Sequence, residues 1–297
     1  MTNNENTIKK WMKGIPYELA FWNNVYRWKR TFNGMMNWSH YGKEIELELF
    51  NASLFLSSQP SPKIIDLGCG MSYATGNMIT RNGTLEPIDI HYIDPLATNF
   101  NQILKRYHRQ LPMIEFGMME YISAFYPNHD TDLIIIQNAL DHSAEPVKGI
   151  LEAIDALRIN GILYLNHHPN EAEKEQYKGF HQYNITIEKD HLIIWNKENH
   201  WDINNMLGTF ASIKTCQHDN GHIIAVITKK EDVPTNMLTE KADIRNLSGV
   251  LINLSQQHIG RAICQKTNYW FYNIIQFFVQ SLSWDTKMEL KRIIKQA

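Results

Sequence analysis

The segment Lys63–Gly70, with the sequence KIIDLGCG, constrains the fold of this chain most strongly. Its pattern predicts a buried strand that ends at an acid, Asp66, followed by a Gly-x-Gly turn and a helix. Glycine tolerates positive φ and lets the backbone approach a bulky ligand without a Cβ in the way. In open α/β sheets such a turn lies beyond the carboxyl ends of parallel strands, where cofactors bind. The segment therefore predicts a cofactor-binding sheet.

From Lys63 onwards the hydrophobic pattern alternates between strand and helix. Alternation at this spacing predicts right-handed βαβ crossovers and a parallel sheet with helices on both faces. The predicted strands are 63–67, 89–94, 112–116, 132–137 and 161–166, and the predicted helices are about 72–80, 97–109, 118–125 and 146–157.

Segments of different character flank this alternating core. Residues 1–62 form a predicted helical cap, with helical spacing through 15–22 and 45–56. Its tryptophans are expected to act as packing mass, or one or two of them to lie beside a sugar or an adenine. The core is predicted to span 63–230, and 231–297 to form a helical extension. Within the core we predict a polar insertion at about 167–205, a hairpin at 185–188 and 191–195, and a closing antiparallel pair at 210–214 and 222–228.

The composition excludes several classes of protein. Apolar residues make up 43% and charged residues 20% of the chain, which is typical of a globular protein, and the net charge of −2 gives no general reason to bind nucleic acid. Cys69, Cys216 and Cys264 are too widely spaced for a disulfide framework or a zinc ribbon, so a reducing cytoplasm is expected. The polar start lacks the apolar core of a signal peptide, and the run 270–282 is too short to span a bilayer. That run is expected to be core or a homodimer interface.

At its motifs the chain resembles class I S-adenosylmethionine-dependent methyltransferases, from about residue 63 to residue 230. Asp66–Gly70 matches the first motif of the family, 132–142 resembles the fourth-strand motif, and 156–161 resembles the turn before the fifth strand. The resemblance implies a Rossmann-like sheet, parallel with a terminal antiparallel strand, S-adenosylmethionine as donor and S-adenosylhomocysteine as product. A more local similarity, in the Trp-rich start and in 166–173, is to methyltransferases from bacterial surface-polysaccharide clusters.

The resemblance implies a role for each cofactor-site position. Asp94 is expected to accept both ribose hydroxyls, and Asp89 is a rival because the spacing from Asp66 to Asp94 is long. Asp66 is expected to orient the glycine turn and the amino group of the cofactor, or to be a helix cap. Glu120 is expected near the adenine, and Cys69 to pack without reacting. The predicted cofactor-binding residues are Asp66, Gly68, Cys69, Gly70, Asp94, Pro95, Glu120, Asn138 and Ala139.

The acceptor side is predicted from polar residues after two strands. An acceptor hydroxyl needs a base, and Asp141 or His142 are candidates, with histidine favoured by its pKa; the alternative is a structural loop histidine. His167 is a further candidate. The residues predicted to bind the acceptor are His168, Glu171, Glu173, Tyr177 and His181. Some of these residues are of types that bind metal ions, but their spacing matches no known metal-binding motif, and no metal is predicted.

We therefore predict a cytoplasmic enzyme that methylates oxygen on a sugar, a nucleotide-sugar or a surface-polysaccharide precursor. The alternatives are a nitrogen or phosphorus-linked oxygen acceptor and a non-catalytic protein that binds S-adenosylmethionine. A nicotinamide dehydrogenase is disfavoured, because the stretch Gly68–Tyr73 lacks the last glycine of Gly-x-Gly-x-x-Gly.

Overall fold

The structure is a computed structural model that describes residues 11–218 and 221–238. Its α-helices are α1 (Ile15–Arg27), α2 (Lys29–Trp38), α3 (Ala52–Ser57), α4 (Ala97–Arg106), α5 (Ile122–Phe125), α6 (Pro146–Ala156), α7 (Glu171–Lys174) and α8 (Ile203–Leu207). Its strands are β1 (Ile64–Leu67), β2 (Met78–Arg81), β3 (Thr84–Pro87), β4 (His91–Asp94), β5 (Glu115–Phe116), β6 (Thr131–Gln137), β7 (Leu157–His167), β8 (Asn184–Glu188), β9 (His191–Trp195), β10 (His200–Asp202), β11 (Ala211–Gln217) and β12 (Ile223–Lys229). Single 3-10 turns lie at Met119–Tyr121, Leu140–His142 and Thr235–Met237. None of the helices in the described ranges combines the length and apolar character that crossing a membrane requires.

Seven strands form one sheet in the order β11-β12-β7-β6-β1-β4-β5. The neighbouring strands β7, β6, β1, β4 and β5 run parallel to one another, whereas β12 runs antiparallel to both β7 and β11. The order reverses at β1, with β4 on one side and β6 on the other, which is the crevice where open α/β sheets bind ligands. The predicted fold class is confirmed: a Rossmann-like, mostly parallel sheet flanked by helices, with a terminal antiparallel strand.

Both faces of the sheet are covered. Ile64, Leu133 and Ile135 face one hydrophobic core, which they share with the N-terminal helices and α4. Ile65 and Ile134 face a second core, which they share with α6 and with the small sheet β8–β10. Because side chains alternate along a strand, burial on both faces requires the continuous apolar runs that the sequence shows.

One predicted helix is wrong, and its correction changes the chemistry of the site. Residues 72–80, expected to form a helix after the glycine turn, form a loop that leads into β2, and β2 pairs with β3 as a hairpin. Asn82 and Gly83 make the turn with φ of +53° and +78°. Asn-Gly is the strongest short hairpin signal, because both turn positions need positive φ. The hairpin also explains the long spacing between Asp66 and Asp94.

Other expectations need smaller corrections. Residues 45–56 were expected to be helical, but only α3 forms there, since Ile45 bonds instead to the backbone of Met78. The helix expected at 118–125 is a 3-10 turn followed by the short α5. The hairpin at 185–188 and 191–195 is confirmed as β8–β9, and the closing pair is confirmed as β11–β12. The helical prediction for 231–297 lies, from residue 239 onwards, outside the described residues.

Candidate active site

A cavity of about 890 Å³ lies at the carboxyl ends of β1, β4 and β6. Strand ends supply its floor, and α1 together with the loop that follows α7 supplies its cover. Its lining includes Trp11, Gly14, Tyr17, Glu18, Phe21, Trp22, Gly68, Cys69, Gly70, Asp94, Pro95, Leu96, Met118, Met119, Glu120, Gln137, Asn138, Ala139, His142, Ser143, Glu175, Lys178, Phe180 and His181. The volume is within the range of pockets that bind small molecules and cofactors.

The glycine turn needs glycine for space as well as for conformation. Gly68 has φ of +73°, and a Cβ built there would lie 2.7 Å from the Cβ of Ala139. The backbone N–H groups of Gly68 and Cys69 both donate to the carbonyl of Ile93, at 2.8 and 3.1 Å. These bonds hold the turn against the end of β4. A side chain at position 68 would push β1 and the segment after β6 apart.

Asp94 joins the turn to the next strand end. Its Oδ2 accepts from the backbone N–H of Gly70 at 3.1 Å, and its Oδ1 accepts from that of Leu96 at 2.8 Å. A carboxylate has about four acceptor positions, so two remain for a ligand in the cavity. Burial raises the pKa of Asp94 to about 7, against the lowering effect of its two backbone bonds. Asp89, the rival position, is exposed and lies outside the cavity lining.

Two further buried carboxyls stand at this side of the cavity. Asp66 lies below the turn, does not line the cavity and bonds to Thr75; burial raises the pKa of this carboxyl to about 7. Glu120 does line the cavity, and its Oε1 accepts from the backbone N–H groups of Ala144 and Glu145 at 2.7 and 3.3 Å. Burial likewise raises the pKa of Glu120. These acidic groups favour a ligand that carries positive charge.

Helix α1 closes the cavity over the glycine turn. The indole of Trp22 covers Gly70, where an added Cβ would lie 3.2 Å from the ring, and its Nε1 donates to Glu18 at 2.6 Å. The hydroxyl of Tyr26 donates to the carbonyl of Met71 at 2.6 Å. The helix is therefore attached directly to the loop that it covers, and it removes that loop from solvent.

Three side chains converge at the other side of the cavity: Asp141, His142 and His181, called here the polar cluster. Nδ1 of His181 lies 2.8 Å from Oδ2 of Asp141 and 3.1 Å from Nε2 of His142. The 3-10 turn after β6 supplies two members, and the loop after α7 folds back to supply His181. His142 and His181 line the cavity, while the Asp141 side chain stands behind them.

Within the polar cluster, Asp141 and His181 stabilise each other's charged form. Burial alone would raise the pKa of Asp141, but His142 and His181 outweigh burial and lower it. Burial alone would lower the pKa of His181, but its bond to Asp141 and the charge of that carboxylate raise it. The Asp141 carboxyl is therefore ionised near neutral pH, and it holds His181 in place through a charge-assisted contact.

Aromatic rings border the polar cluster. Trp11 and Phe180 stack with their centroids 5.3 Å apart and their planes inclined by 18°. The indole Nε1 of Trp11 donates to the carbonyl of His142 at 2.9 Å. Gly14 lies against Phe180, since an added Cβ would stand 2.3 Å from the ring. The start of α1 and the loop that carries His181 therefore pack together, and they form an apolar wall beside a polar end.

Seven of the predicted site residues lie outside the cavity lining. Asp66 and Asp141 stand behind lining residues. His167 is 1% exposed, and burial lowers its pKa to about 4, which argues against a direct role with a substrate. The other four contact neighbouring elements or lie behind the lining: His168 packs against His222, Glu173 and Tyr177 bond to Asn184, and Glu171 is half-buried near Asp141. The remaining predicted residues, Gly68, Cys69, Gly70, Asp94, Pro95, Glu120, Asn138, Ala139, His142 and His181, all line the cavity. Burial raises the pKa of the Cys69 thiol, as expected for a packing role.

The sequence also left several lining residues unidentified. Glu18 and Phe180 reach the cavity through contacts between segments that are distant along the chain, whereas Trp22 is one of the tryptophans for which a place beside a ligand was an open alternative. Gln137, the last residue of β6, bonds to Thr75 at 3.1 Å and lines the cavity. Gln137 lies at the end of β6, beside β1 where the strand order reverses, and this position could have identified it as a lining residue.

Comparisons with known proteins leave the reaction of this chain open. No protein-family model matches the chain, and no curated protein sequence matches it. The 16S rRNA N2 G1207 methyltransferase RsmC of T. thermophilus, in complex with AdoMet and guanosine, is similar in structure, with 13% identity over 65% of this chain and a TM-score of 0.34. The chain spans 42% of the length of that protein.

Two smaller structures are covered more fully. A SAM-dependent methyltransferase from Thermotoga maritima, named as a possible histamine N-methyltransferase, shares 13% identity over 71% of this chain and 100% of its own, with a TM-score of 0.37. The N-methyltransferase NodS from Bradyrhizobium japonicum, in complex with S-adenosyl-L-homocysteine, shares 14% identity over 60% of this chain and 83% of its own, with a TM-score of 0.35. At such low identities these structures do not identify the substrate of this chain.

Proposed function

We propose that this chain binds S-adenosylmethionine at the glycine turn and transfers its methyl group to an oxygen of a small polar acceptor. The observation that carries the proposal is the cavity at the switch point, where a glycine turn without room for a Cβ meets the buried carboxylate of Asp94. These two features fit the two ends of the ligand. The turn lines the cavity at the place for the methionine portion, and Asp94 has acceptor positions left for two ribose hydroxyls.

The charges around the turn fit the same ligand. S-adenosylmethionine carries a sulfonium and an ammonium group, and Asp66, Asp94 and Glu120 are buried within or directly behind the cavity wall. A cation among buried carboxylates favours their ionised form and is itself stabilised. Asp66 acts through the turn that it underlies, in line with the orienting role predicted for it.

The hairpin after the glycine turn helps to distinguish S-adenosylmethionine from a dinucleotide as the ligand of this site. Nicotinamide dinucleotides place their pyrophosphate on the N-terminus of the helix that follows the glycine turn. In this chain β2 and β3 take the place of that helix. S-adenosylmethionine has no phosphate, so its binding does not require a helix N-terminus at this place. Residues 68–90 therefore offer no helix N-terminus for a pyrophosphate, which disfavours a dinucleotide cofactor.

The chemistry requires an in-line displacement beside Asn138 and Ala139. When bound, S-adenosylmethionine supplies a methyl group whose bond to sulfur breaks with the electron pair staying on sulfur, while a bond to the acceptor oxygen forms. The cover of α1 excludes water, and the strand ends hold the reacting groups in position, which supplies much of the rate. The acceptor oxygen has to lose its proton, and the polar cluster, which contains the predicted Asp141 and His142, is the group that makes this loss easier.

A saccharide remains our proposed acceptor class. The Trp11–Phe180 wall offers an apolar face, and His142 and His181 offer polar partners beside it. A sugar ring has C–H faces and hydroxyl edges that match such a pair of surfaces. A nucleotide-sugar or a surface-polysaccharide precursor contains such a ring. Nitrogen and phosphorus-linked oxygen acceptors are the alternatives.

The test is a methyl-transfer assay with labelled donor. The chain is incubated with methyl-labelled S-adenosylmethionine and with free sugars, nucleotide-sugars, amines and phosphates, and both products are identified by mass spectrometry. We expect S-adenosylhomocysteine together with a methyl ether on a sugar-containing acceptor. Methylation of an amine or a phosphate oxygen would correct the acceptor class. Binding of the donor with no turnover on any acceptor would support a non-catalytic protein instead.

A further inference from the structure

We propose that the polar cluster binds a divalent transition-metal cation, of the type of Zn²⁺ or Mn²⁺, at the acceptor side of the cavity. Two imidazole nitrogens and one carboxylate oxygen would be its protein ligands. This set was not predicted from the sequence, because His142 and His181 lie 39 residues apart. The role of the cation rests on the proposed function, but its binding does not, and the two can be tested separately.

The distances within the cluster match those between ligands of one cation. The three contacts are 2.8 Å from Asp141 Oδ2 to His181 Nδ1, 3.1 Å from His181 Nδ1 to His142 Nε2 and 3.6 Å from His142 Nε2 to Asp141 Oδ2. Two ligands about 2.1 Å from a tetrahedral zinc ion stand roughly 3.4 Å from each other. Shifts of a few tenths of an ångström therefore place all three atoms around one ion.

Hydrogen bonding alone does not satisfy this arrangement. Both short contacts use the same atom, Nδ1 of His181, and an imidazole nitrogen carries either one N–H or one lone pair. If Nδ1 donates to the carboxylate of Asp141, then Nε2 of His142 meets the same N–H off its axis. If Nδ1 accepts from His142, it meets the ionised carboxylate with its lone pair. A cation at the shared point gives each of the three atoms a partner.

The surroundings add a second, independent observation. His167 lies behind the cluster, 1% exposed and close enough to Asp141 and His142 to interact electrostatically. Neither of its ring nitrogens has a hydrogen-bond partner among the described residues. Buried polar groups are normally satisfied, so an unpaired histidine here points to a site built for a group beyond the protein atoms. The half-buried Glu171 adds a carboxylate near the same three residues.

The ligand set indicates both the kind of cation and its task. Imidazole with carboxylate suits zinc, manganese and iron, whereas Mg²⁺ prefers oxygen ligands. Three protein ligands leave a position open, and the two histidines border the cavity on that side. An acceptor hydroxyl held there loses its proton to solvent water more readily, because the cation stabilises the negative oxygen. That oxygen then forms the new bond to the methyl carbon, and the bond from carbon to sulfur breaks.

The experiment is isothermal titration of Zn²⁺ into the full chain, without an affinity tag and without S-adenosylmethionine. The wild-type chain is expected to bind Zn²⁺ and to show no binding of Mg²⁺ at the same concentration. His181→Gln and His142→Gln should each weaken Zn²⁺ binding at least tenfold. The matched control is His191→Gln, since His191 makes a similar contact, 2.7 Å to Asp202, on the surface and outside the cavity. It should bind as wild type does.

The outcomes separate this proposal from the proposed function. Circular dichroism first confirms that each variant is folded. Equal Zn²⁺ affinity in wild type and both cavity variants, or no Zn²⁺ binding by folded wild type, would overturn the metal site and leave binding of S-adenosylmethionine unaffected. Loss of Zn²⁺ binding in the cavity variants, with the donor still bound, supports the site. Failure of the donor to bind, with Zn²⁺ still bound, rejects the proposed function alone.

Discussion

The two sides of the cavity are built in different ways. The side around the glycine turn comes from the ends of β1 and β4, and its groups are held by backbone bonds such as those from Gly68 to Ile93. The side around the polar cluster comes from segments far apart in sequence, such as Trp11 and Phe180. The difference teaches that the sheet fixes the floor of the first side, whereas the second depends on how one loop packs against the segment before α1. A change at the turn should therefore act on donor binding, and a change at the cluster on the acceptor.

The largest effect is expected from Gly68→Ala. Positive φ with a Cβ costs about 1–2 kcal/mol, and the overlap with Ala139 adds about 1–3 kcal/mol. We expect a clear fall in thermal stability and at least a hundredfold loss of affinity for S-adenosylmethionine. The control is Gly83→Ala in the β2–β3 turn, where φ is also positive but the added Cβ meets open space. Thermal unfolding and calorimetric titration of both variants measure the difference. Equal affinities would mean that the turn does not touch the donor.

Asp94→Asn should weaken donor binding about tenfold or more, which is about 1.4 kcal/mol. The wild-type affinity should also depend on pH. The pKa of Asp94 is raised to about 7 in the ligand-free protein, so protons compete with the donor below that pH, and affinity should fall about tenfold from pH 8 to pH 6. Titrations at three pH values measure this. The exposed Asp89→Asn is the control, and a loss of binding there would move the ribose contact to Asp89.

Phe180→Leu probes the other side. The substitution keeps an apolar side chain but removes the ring that stacks on Trp11. With an acceptor found by the methyl-transfer assay, we expect kcat/KM to fall about tenfold, or about 1.4 kcal/mol, while donor affinity changes less than twofold. Kinetics and calorimetry on the same preparation provide both values. A parallel loss of donor affinity would show that the two sides are not separable.

The remaining effect concerns the stability of the fold. Asp66 is buried, and its pKa is raised from 3.8 to about 7, so the folded state holds a proton that the unfolded state has released between those pH values. Its contribution to the free energy of unfolding therefore decreases as pH rises from about 4 to 7. Asp66→Asn removes this cost. We expect its melting temperature, relative to wild type, to rise by a few degrees between pH 5 and pH 8. If the difference in melting temperature between Asp66→Asn and wild type did not change with pH, the carboxyl of Asp66 would have to be in contact with solvent in the folded protein.

The sequence predicted the side of the site that local pattern controls. The sheet strands were recognisable because burial on both faces makes them continuously apolar, and Asp66, Gly68 and Asp94 follow directly from strand ends. The helix predicted after the turn was wrong: the strand–helix alternation favoured a helix there, but the Asn82–Gly83 pair forms a hairpin turn. A single residue pair thus outweighed the alternating pattern.

The polar cluster was only partly accessible to sequence reasoning. Asp141 and His142 were identified because they follow β6 directly. Their partner His181 was assigned to acceptor binding, since nothing local shows that the loop after α7 folds back to within 2.8 Å of Asp141. His167 was a further candidate for the base, but it is buried on the face of β7 that carries Leu163 and Leu165. Alternation along the strand places His167 on the face of Leu163 and Leu165, but both faces of β7 are buried, so alternation alone did not predict its burial.

The most direct test of the account is calorimetric titration of the purified chain with S-adenosylmethionine, beside the same titration with NAD⁺. We predict saturable binding of the methyl donor, at least tenfold weaker binding in Asp94→Asn, and no binding of the dinucleotide. A folded chain that binds NAD⁺ and not S-adenosylmethionine, or that binds neither, would contradict it.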